Sequence, residues 1–263
     1  MKAESLFDLR GRSAFVTGAA SGIGFAMAEV LADNGASVTM ADIDAGQLTS
    51  AYAKLAGRGL SVRAAVVDVA DAAAIETAIA DADHASGGLD IVCANAGISA
   101  GPGPMTEKGR LDSLDLAHWD KVLRVNLTGV MMTIRAASAV MRPRRRGRII
   151  VTASEAGLKA ERNCGYGYVA TKAAVINLVR QAAMQLGPDN ITINAIAPGP
   201  ILTGIGGGRL HDDAVAASFA EDTMLGRIGS PDEIKGLTLL LASDASSFMT
   251  GSVIPVDGGV SAW

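Results

Sequence analysis

The feature that most restricts the fold of this chain is a glycine-rich turn set between a short apolar run and an apolar helical pattern. Ser13-Ala14-Phe15-Val16-Thr17 reads as a buried strand, and Gly18-Ala19-Ala20-Ser21-Gly22-Ile23-Gly24 follows it directly. Phe25, Met27, Val30 and Leu31 then recur at helical spacing. Strand, glycine turn and helix in that order are the context in which a chain cradles a dinucleotide. Gly18 permits the tight turn, Gly22 admits a pyrophosphate close to the backbone, and Gly24 lets the helix pack on the strand. The helix start around Ser21 and Ile23 offers unpaired amides and a positive dipole end to the phosphates. The spacing is Gly-x-x-x-Gly-x-Gly, and with 31 glycines in 263 residues it is the flanking elements that carry the reading.

A second run, Ala36-Ser37-Val38-Thr39-Met40-Ala41, ends at Asp42. A carboxylate about 20 residues past the glycines accepts hydrogen bonds from the adenosine ribose hydroxyls and repels a 2′-phosphate. Neither Ser21 nor Ile43 supplies a cation to rescue that phosphate, so the expected cofactor is NAD. Further apolar runs at 61–67, 89–94, 148–152, 191–196 and 252–256 alternate with helical patterns at 45–56, 72–84, 116–141, 165–186 and 231–242. Continuous rather than alternating apolar strands predict a parallel sheet covered by helices on both faces. With no repeat or linker in sight, the chain reads as a single doubly wound α/β (Rossmann) domain over 1–263, with a substrate lid near 200–225. Ligands of such sheets bind beyond the carboxyl ends of the strands. There fall Gly18 to Gly24, Asp42, Asp68-Val69, Asn95-Ala96-Gly97, Ser154 and the Pro198 to Thr203 segment.

Tyr168 and Lys172 stand one helical turn apart on the predicted 165–186 helix. A phenol titrates near pH 10 in water, and a neighbouring ammonium favours phenolate, drawing that value toward neutrality. Tyr166 is the rival phenol, but position 170 is Ala, so it is assigned to the pocket wall. Glu155, directly after Ser154, is the candidate for touching a second polar group of a substrate.

The charge balance excludes some partners. Net charge is −4 with 19% charged residues, which argues against a nucleic-acid binder. The one basic run, Arg142 to Arg148, reads as a solvated helix end. Two cysteines, Cys93 and Cys164, make no metal spacing or disulfide framework, and no metal site is expected. No apolar stretch approaches the ~20 residues a membrane span needs. A cytoplasmic protein without membrane contacts is expected.

Taken together, these segments resemble the classical short-chain dehydrogenase/reductase family over nearly the whole chain. They include Thr17 to Gly24, Asp68-Val69, Asn95-Ala96-Gly97, Val125-Asn126-Leu127-Thr128-Gly129, Ser154, Tyr168-x-x-x-Lys172, Pro198-Gly199-Pro200-Ile201-Leu202-Thr203 and Val256-Asp257-Gly258-Gly259. The resemblance implies a seven-stranded sheet of order 3-2-1-4-5-6-7. It implies Tyr168 as general acid/base, Ser154 holding the substrate oxygen, Lys172 on the nicotinamide ribose, and Asn126 anchoring a water in the proton path. Pro198, Gly199, Ile201 and Thr203 are expected near the nicotinamide, with Asp68, Val69, Asn95, Ala96 and Gly97 toward the adenosine side. Two departures stand out. Ala94 and Ala153 replace a usual Asn and Ser, and Ser154 precedes Tyr168 by 14 residues instead of 13.

The expected activity is reversible hydride transfer between a secondary alcohol, cyclic or polyol-like, and its ketone. A 3-oxoacyl-type reductase and a catalytically silent dinucleotide-binding protein are the alternatives. The resemblance further implies a homotetramer packed through the 116–141 and 165–186 helices and the last strand, with Trp263 within reach of a neighbouring subunit.

Overall fold

The computed structural model describes residues 3–262; Trp263 lies outside them. Seven parallel strands form one sheet in the order β3-β2-β1-β4-β5-β6-β7. They are β1 Ser13–Thr17, β2 Ser37–Asp42, β3 Val62–Val66, β4 Ile91–Ala94, β5 Gly147–Thr152, β6 Ile191–Pro198 and β7 Val253–Val256. Between them run α1 Ala3–Leu6, α2 Gly22–Asp33, α3 Ala45–Ala56, α4 Ala72–Ser86, α5 Leu116–Leu123, α6 Val130–Met141, α7 Tyr166–Leu186, α8 Asp213–Ala220 and α9 Lys235–Ala242.

The unbroken apolar strands have a direct cause in the two-sided core. On one face Phe15, Val92, Ile149, Val151 and Ile193 pack with Ile75 and Ile79 of α4, Ile134 of α6, and Val175 and Val179 of α7. On the other, Val16, Val38, Met40, Ile150 and Ile196 pack with Met27 and Leu31 of α2, Leu48 and Leu55 of α3, and Leu241 of α9. Successive strand residues point to opposite faces, so both must be apolar. The edge strand β3 departs from that pattern: Arg63 and Ala64 are exposed and Val66 is 64% exposed, because β3 has a neighbour on one side only.

The predicted continuous helix over 116–141 is interrupted. Residues 124–129 form a π turn between α5 and α6, centred on Asn126 and Gly129, both buried. A side chain at Gly129 would run into the Val69 carbonyl and side chain, so the helix passes closer to the β3–α4 connection than any other residue type allows. Sequence periodicity does not register one extra residue in a turn, whereas π turns recur at functional sites.

The arginine run follows α6 as a largely exposed helix end, and its charges are in addition paired with carboxylates. Arg144 and Arg146 approach Asp90 at 3.2 and 3.3 Å, Arg142 reaches Asp189 at 2.7 Å, and Arg148 joins Arg12 on Asp244. Asp90 is 4% exposed and accepts the Ser13 N–H at 3.0 Å. Asp90→Ala leaves those two guanidiniums and a buried amide without their acceptor, which costs about 3 kcal/mol. Thermal melting should show Tm lowered by roughly 6–12 °C, while Asp90→Asn, which keeps an acceptor, loses less.

Candidate active site

One cleft of about 930 Å³ opens at the carboxyl ends of the strands. Every position assigned above to the cofactor lines it, from Gly18, Ser21, Gly22, Ile23 and Gly24 through Asp42, Asp68, Val69, Asn95, Ala96 and Gly97 to Pro198, Gly199, Ile201 and Thr203, with Tyr168 and Lys172. The glycine turn fits a pyrophosphate on two counts. A Cβ on Gly24 would collide with the Gly18 carbonyl, so this backbone approach is open to glycine alone. Asp44, Asp71, Asp115 and Asp212 cap their helices with side-chain carboxylates, whereas Ser21 makes no side-chain cap on α2. The donors of the first turn of α2 therefore face the cleft, as anion binding needs. Asp42 accepts the Ala20 N–H at 3.0 Å through one carboxylate oxygen and the Asp44 N–H at 3.0 Å through the other, which fixes it beside the turn.

The strand ends are locked together by a polar relay. The Thr17 hydroxyl accepts the N–H groups of Asn95 and Ala96 at 2.9 and 3.0 Å. Asn95 donates its amide to the Thr17 carbonyl at 3.0 Å and accepts the Thr152 hydroxyl at 2.9 Å. Lys172, 3% exposed, donates its ammonium to the Thr152 carbonyl at 2.7 Å. Asn95 thus clamps β1, β4 and β5, and its side chain is engaged by protein partners. Thr152 was not singled out in the sequence, and Thr17 only as the start of the glycine segment; their strand-end positions beside Asn95 were the available signal. Lys121 and Arg124 also face the cleft, and no motif announced them.

Asn126 is fully buried, donating to the Ile98 carbonyl and accepting the Ile98 N–H, both at 2.8 Å. Asn126 and the Lys172 ammonium both lie beside Gly97, within 3.8 Å of where its Cβ would stand. Ser154, 5% exposed, is not among the residues lining the cleft; its hydroxyl accepts the Ala156 N–H and donates to the Pro198 carbonyl, and it influences the neighbouring Tyr168 phenol. The extra residue between Ser154 and Tyr168 is therefore absorbed in the intervening loop. Ala94 and Ala153 are buried in the apolar core. Tyr166 stands elsewhere, in a shallow hollow with Pro104, Arg110, Leu111 and Asp112.

The electrostatic balance at Tyr168 differs from the simple pairing of phenol and ammonium. Burial is the largest influence and pushes the phenol above its ordinary value; Cys164 adds to this and the Ser154 hydrogen bond opposes it. Lys172 lies over the ring, 5.5 Å from its centroid, and burial lowers it to about 8. Glu155 is 7% exposed, and burial followed by Glu161 raises its carboxyl to about 8. Ile201 and Thr203 to Gly206 line the cleft, at the start of the 201–225 segment. That segment carries three consecutive left-handed glycines, Gly206, Gly207 and Gly208, and Arg162 of the facing loop pairs with its Asp222 at 2.6 Å.

Comparison with known proteins places this site. A family model described as enoyl-(acyl carrier protein) reductase matches residues 18–261. A cyclohexanol dehydrogenase of Rhodococcus sp. (strain TK6) is 38% identical over 268 residues, covering 96% of this chain and 97% of the relative. The chain belongs to the classical short-chain dehydrogenase/reductase family. Within that family, a cis-4-hydroxycyclohexanecarboxylate dehydrogenase of Sinomonas cyclohexanicum is also 38% identical, over 95% of this chain and 97% of that one. The solved structure of a gluconate 5-dehydrogenase from Burkholderia cenocepacia J2315, in complex with NADP and tartrate, superposes with a TM-score of 0.91 at 32% identity over the full length of both chains. As a short-chain dehydrogenase/reductase the chain is an oxidoreductase of a family that binds a nicotinamide dinucleotide. No helix among the described residues is long and apolar enough to cross a membrane.

The raised Glu155 carboxyl has a stability consequence with a definite sign. Between about pH 4.5, its ordinary value, and about 8 the folded protein holds a proton that the unfolded chain has lost. This group therefore weakens folding progressively as pH rises through that window. Glu155→Gln removes the liability, so its Tm advantage over wild type should be near zero at pH 4.5 and grow to roughly 3–6 °C at pH 9 in paired melts.

Proposed function

We propose that this chain is an NAD(H)-dependent dehydrogenase interconverting a secondary alcohol, cyclic or polyol-like, and its ketone. The carrying observation is that Tyr168 and Lys172 line the same cleft as the glycine turn and Asp42, with Ser154 buried beside Tyr168. Gly18, Gly22 and Gly24 hold the pyrophosphate against the start of α2, and Asp42 takes the adenosine ribose hydroxyls. Asp42 supports NAD over NADP because a second phosphate would stand against its carboxylate. Relatives named for cyclohexanol, gluconate and galactitol oxidation support the alcohol class over enoyl reduction.

In the oxidative direction the Tyr168 phenolate accepts the carbinol proton, and the Ser154 hydroxyl donates a hydrogen bond to the same oxygen. The nicotinamide supplies the hydride acceptor and, when oxidised, a positive charge. Lys172 remains largely protonated at neutral pH, given a pKa of about 8, and binds the ribose hydroxyls while its charge favours phenolate. Asn126 acts as a positioning residue through its two bonds to Ile98. The 201–225 segment serves as the lid of a single catalytic domain. A cytoplasmic homotetramer is the proposed form, consistent with the exposed Met184 on α7 and Phe248 before β7.

Because burial disfavours the phenolate, oxidation should accelerate as pH rises from 7 toward 10, read as kcat/KM for a cycloalkanol. Tyr168→Phe should lower kcat about 1000-fold or more with NADH affinity, followed by fluorescence titration, little changed; full activity in that variant would exclude the role. Wild type should prefer NAD⁺ to NADP⁺, and Asp42→Ala should erode that preference roughly tenfold or more.

A further inference from the structure

Binding a dinucleotide poses an electrostatic problem for this chain. The ligand arrives as an anion through its pyrophosphate, while the protein carries a net charge of −4 and two carboxylates, Asp42 and Asp68, line the cleft. Both are held by backbone amides, Asp42 by those of Ala20 and Asp44 and Asp68 by that of Ala70 at 2.8 Å. Among the described residues no cation pairs with either. Like charges at a cleft slow the approach of its ligand.

Three cations line the cleft among the described residues: Lys172, Lys121 and Arg124. Lys172 is 3% exposed and committed to the Thr152 carbonyl, so it meets a ligand only after entry. Lys121 and Arg124 are exposed, and neither side chain has an ion pair or hydrogen bond among the described residues. Other surface cations are engaged: Arg58, Arg135, Arg162, Arg227 and Lys235 each pair with a carboxylate.

The local fold explains where this pair points. Ala117, Lys121 and Arg124 recur at i, i+4 and i+7 from α5 into the π turn, so they share one face, and all three line the cleft. A different face of α5 is anchored on α7, since a side chain at Gly167 would meet Trp119 and Val122. Just beyond, Gly129 abuts Val69, which lines the cleft on the expected adenosine side. Two long cationic side chains therefore rise from a fixed backbone at the wall of the cofactor cleft.

Resting on the dinucleotide reading above, we propose that Lys121 and Arg124 are a capture site for the anionic cofactor, drawing its phosphates to the cleft before the amides of α2 receive them. Charges farther away than about 8 Å are screened at physiological ionic strength, so the charges nearest the entry decide the encounter although the whole chain is negative. Steering of this kind raises association rates roughly ten- to a thousand-fold and acts on the on-rate.

Stopped-flow fluorescence with NADH as the probe tests this between about 10 and 150 mM ionic strength, over which the screening length shrinks from about 30 to 8 Å. Wild-type kon should fall as salt rises. In the double variant Lys121→Gln/Arg124→Gln, kon should drop about tenfold at the lowest salt and should then stay flat or climb with salt, because only the overall repulsion is left. The loss should appear in kon and in KM for NAD⁺, with koff changed less than about twofold. Lys121→Arg/Arg124→Lys keeps both charges and should keep the wild-type rate. Arg63→Gln/Lys108→Gln removes the same charge from exposed positions outside the cleft and should leave kon near wild type. Unchanged kon in the glutamine pair, weakening through koff alone, or an equal loss in the Arg63 and Lys108 variant overturns the capture role and leaves dinucleotide binding standing. A wild type that shows no NADH binding overturns both.

Discussion

The structure depends on the clamp that ties the carboxyl ends of the central strands into one platform. Parallel strands twist, and past the last ladder pairs, Val16 with Cys93 and Ala94 with Val151, their ends need a further tie. Asn95 supplies it by donating to Thr17 on one side and accepting from Thr152 on the other. The carbonyl of Thr152 then receives the Lys172 ammonium, so the residue that orders the sheet also fixes the height of α7 beside it. Tyr168 occupies its place because α7 is pinned there one turn away.

A second constraint is how closely backbone passes backbone around the cleft. The glycine turn, the π turn at 124–129 and the contact between Gly199 and Asp257 all replace side-chain packing with near-direct chain contact. Each brings two stretches of chain together at a distance that a Cβ would not permit. Glycine recurs along the cleft wall, at Gly18, Gly22, Gly24, Gly97 and Gly199.

The layered sheet was legible because its strands are buried on both faces and so remain apolar without interruption. The positions of Gly18, Asp42 and Gly97 were legible for the related reason that chemistry in this topology gathers at strand ends. Three things were not. The π turn adds one residue within an apolar helical pattern, and that pattern looks the same with or without it. Helix α8 follows a glycine-rich stretch and reads as loop because it is short and none of its residues is fully buried. The balance at Tyr168 depends on how much water surrounds the hydroxyl, which is a three-dimensional quantity; spacing to Lys172 reports the attraction and says nothing of the dehydration that outweighs it. The carboxylate partners of the arginines after α6 were not legible either, since Asp90, Asp189 and Asp244 come from distant points of the chain.

Those arginines also concentrate ion pairs at one end of the molecule. Their pairs sit at the opposite pole of the sheet from the cleft, separated by the length of strands such as β5, six residues or roughly 20 Å. Screening at physiological ionic strength extends about 8 Å, so the field of that pole fades well before it reaches the phenol. Charge at the lower pole is thus free to vary for durability, solubility or immobilisation on a support, without retuning the proton chemistry above it.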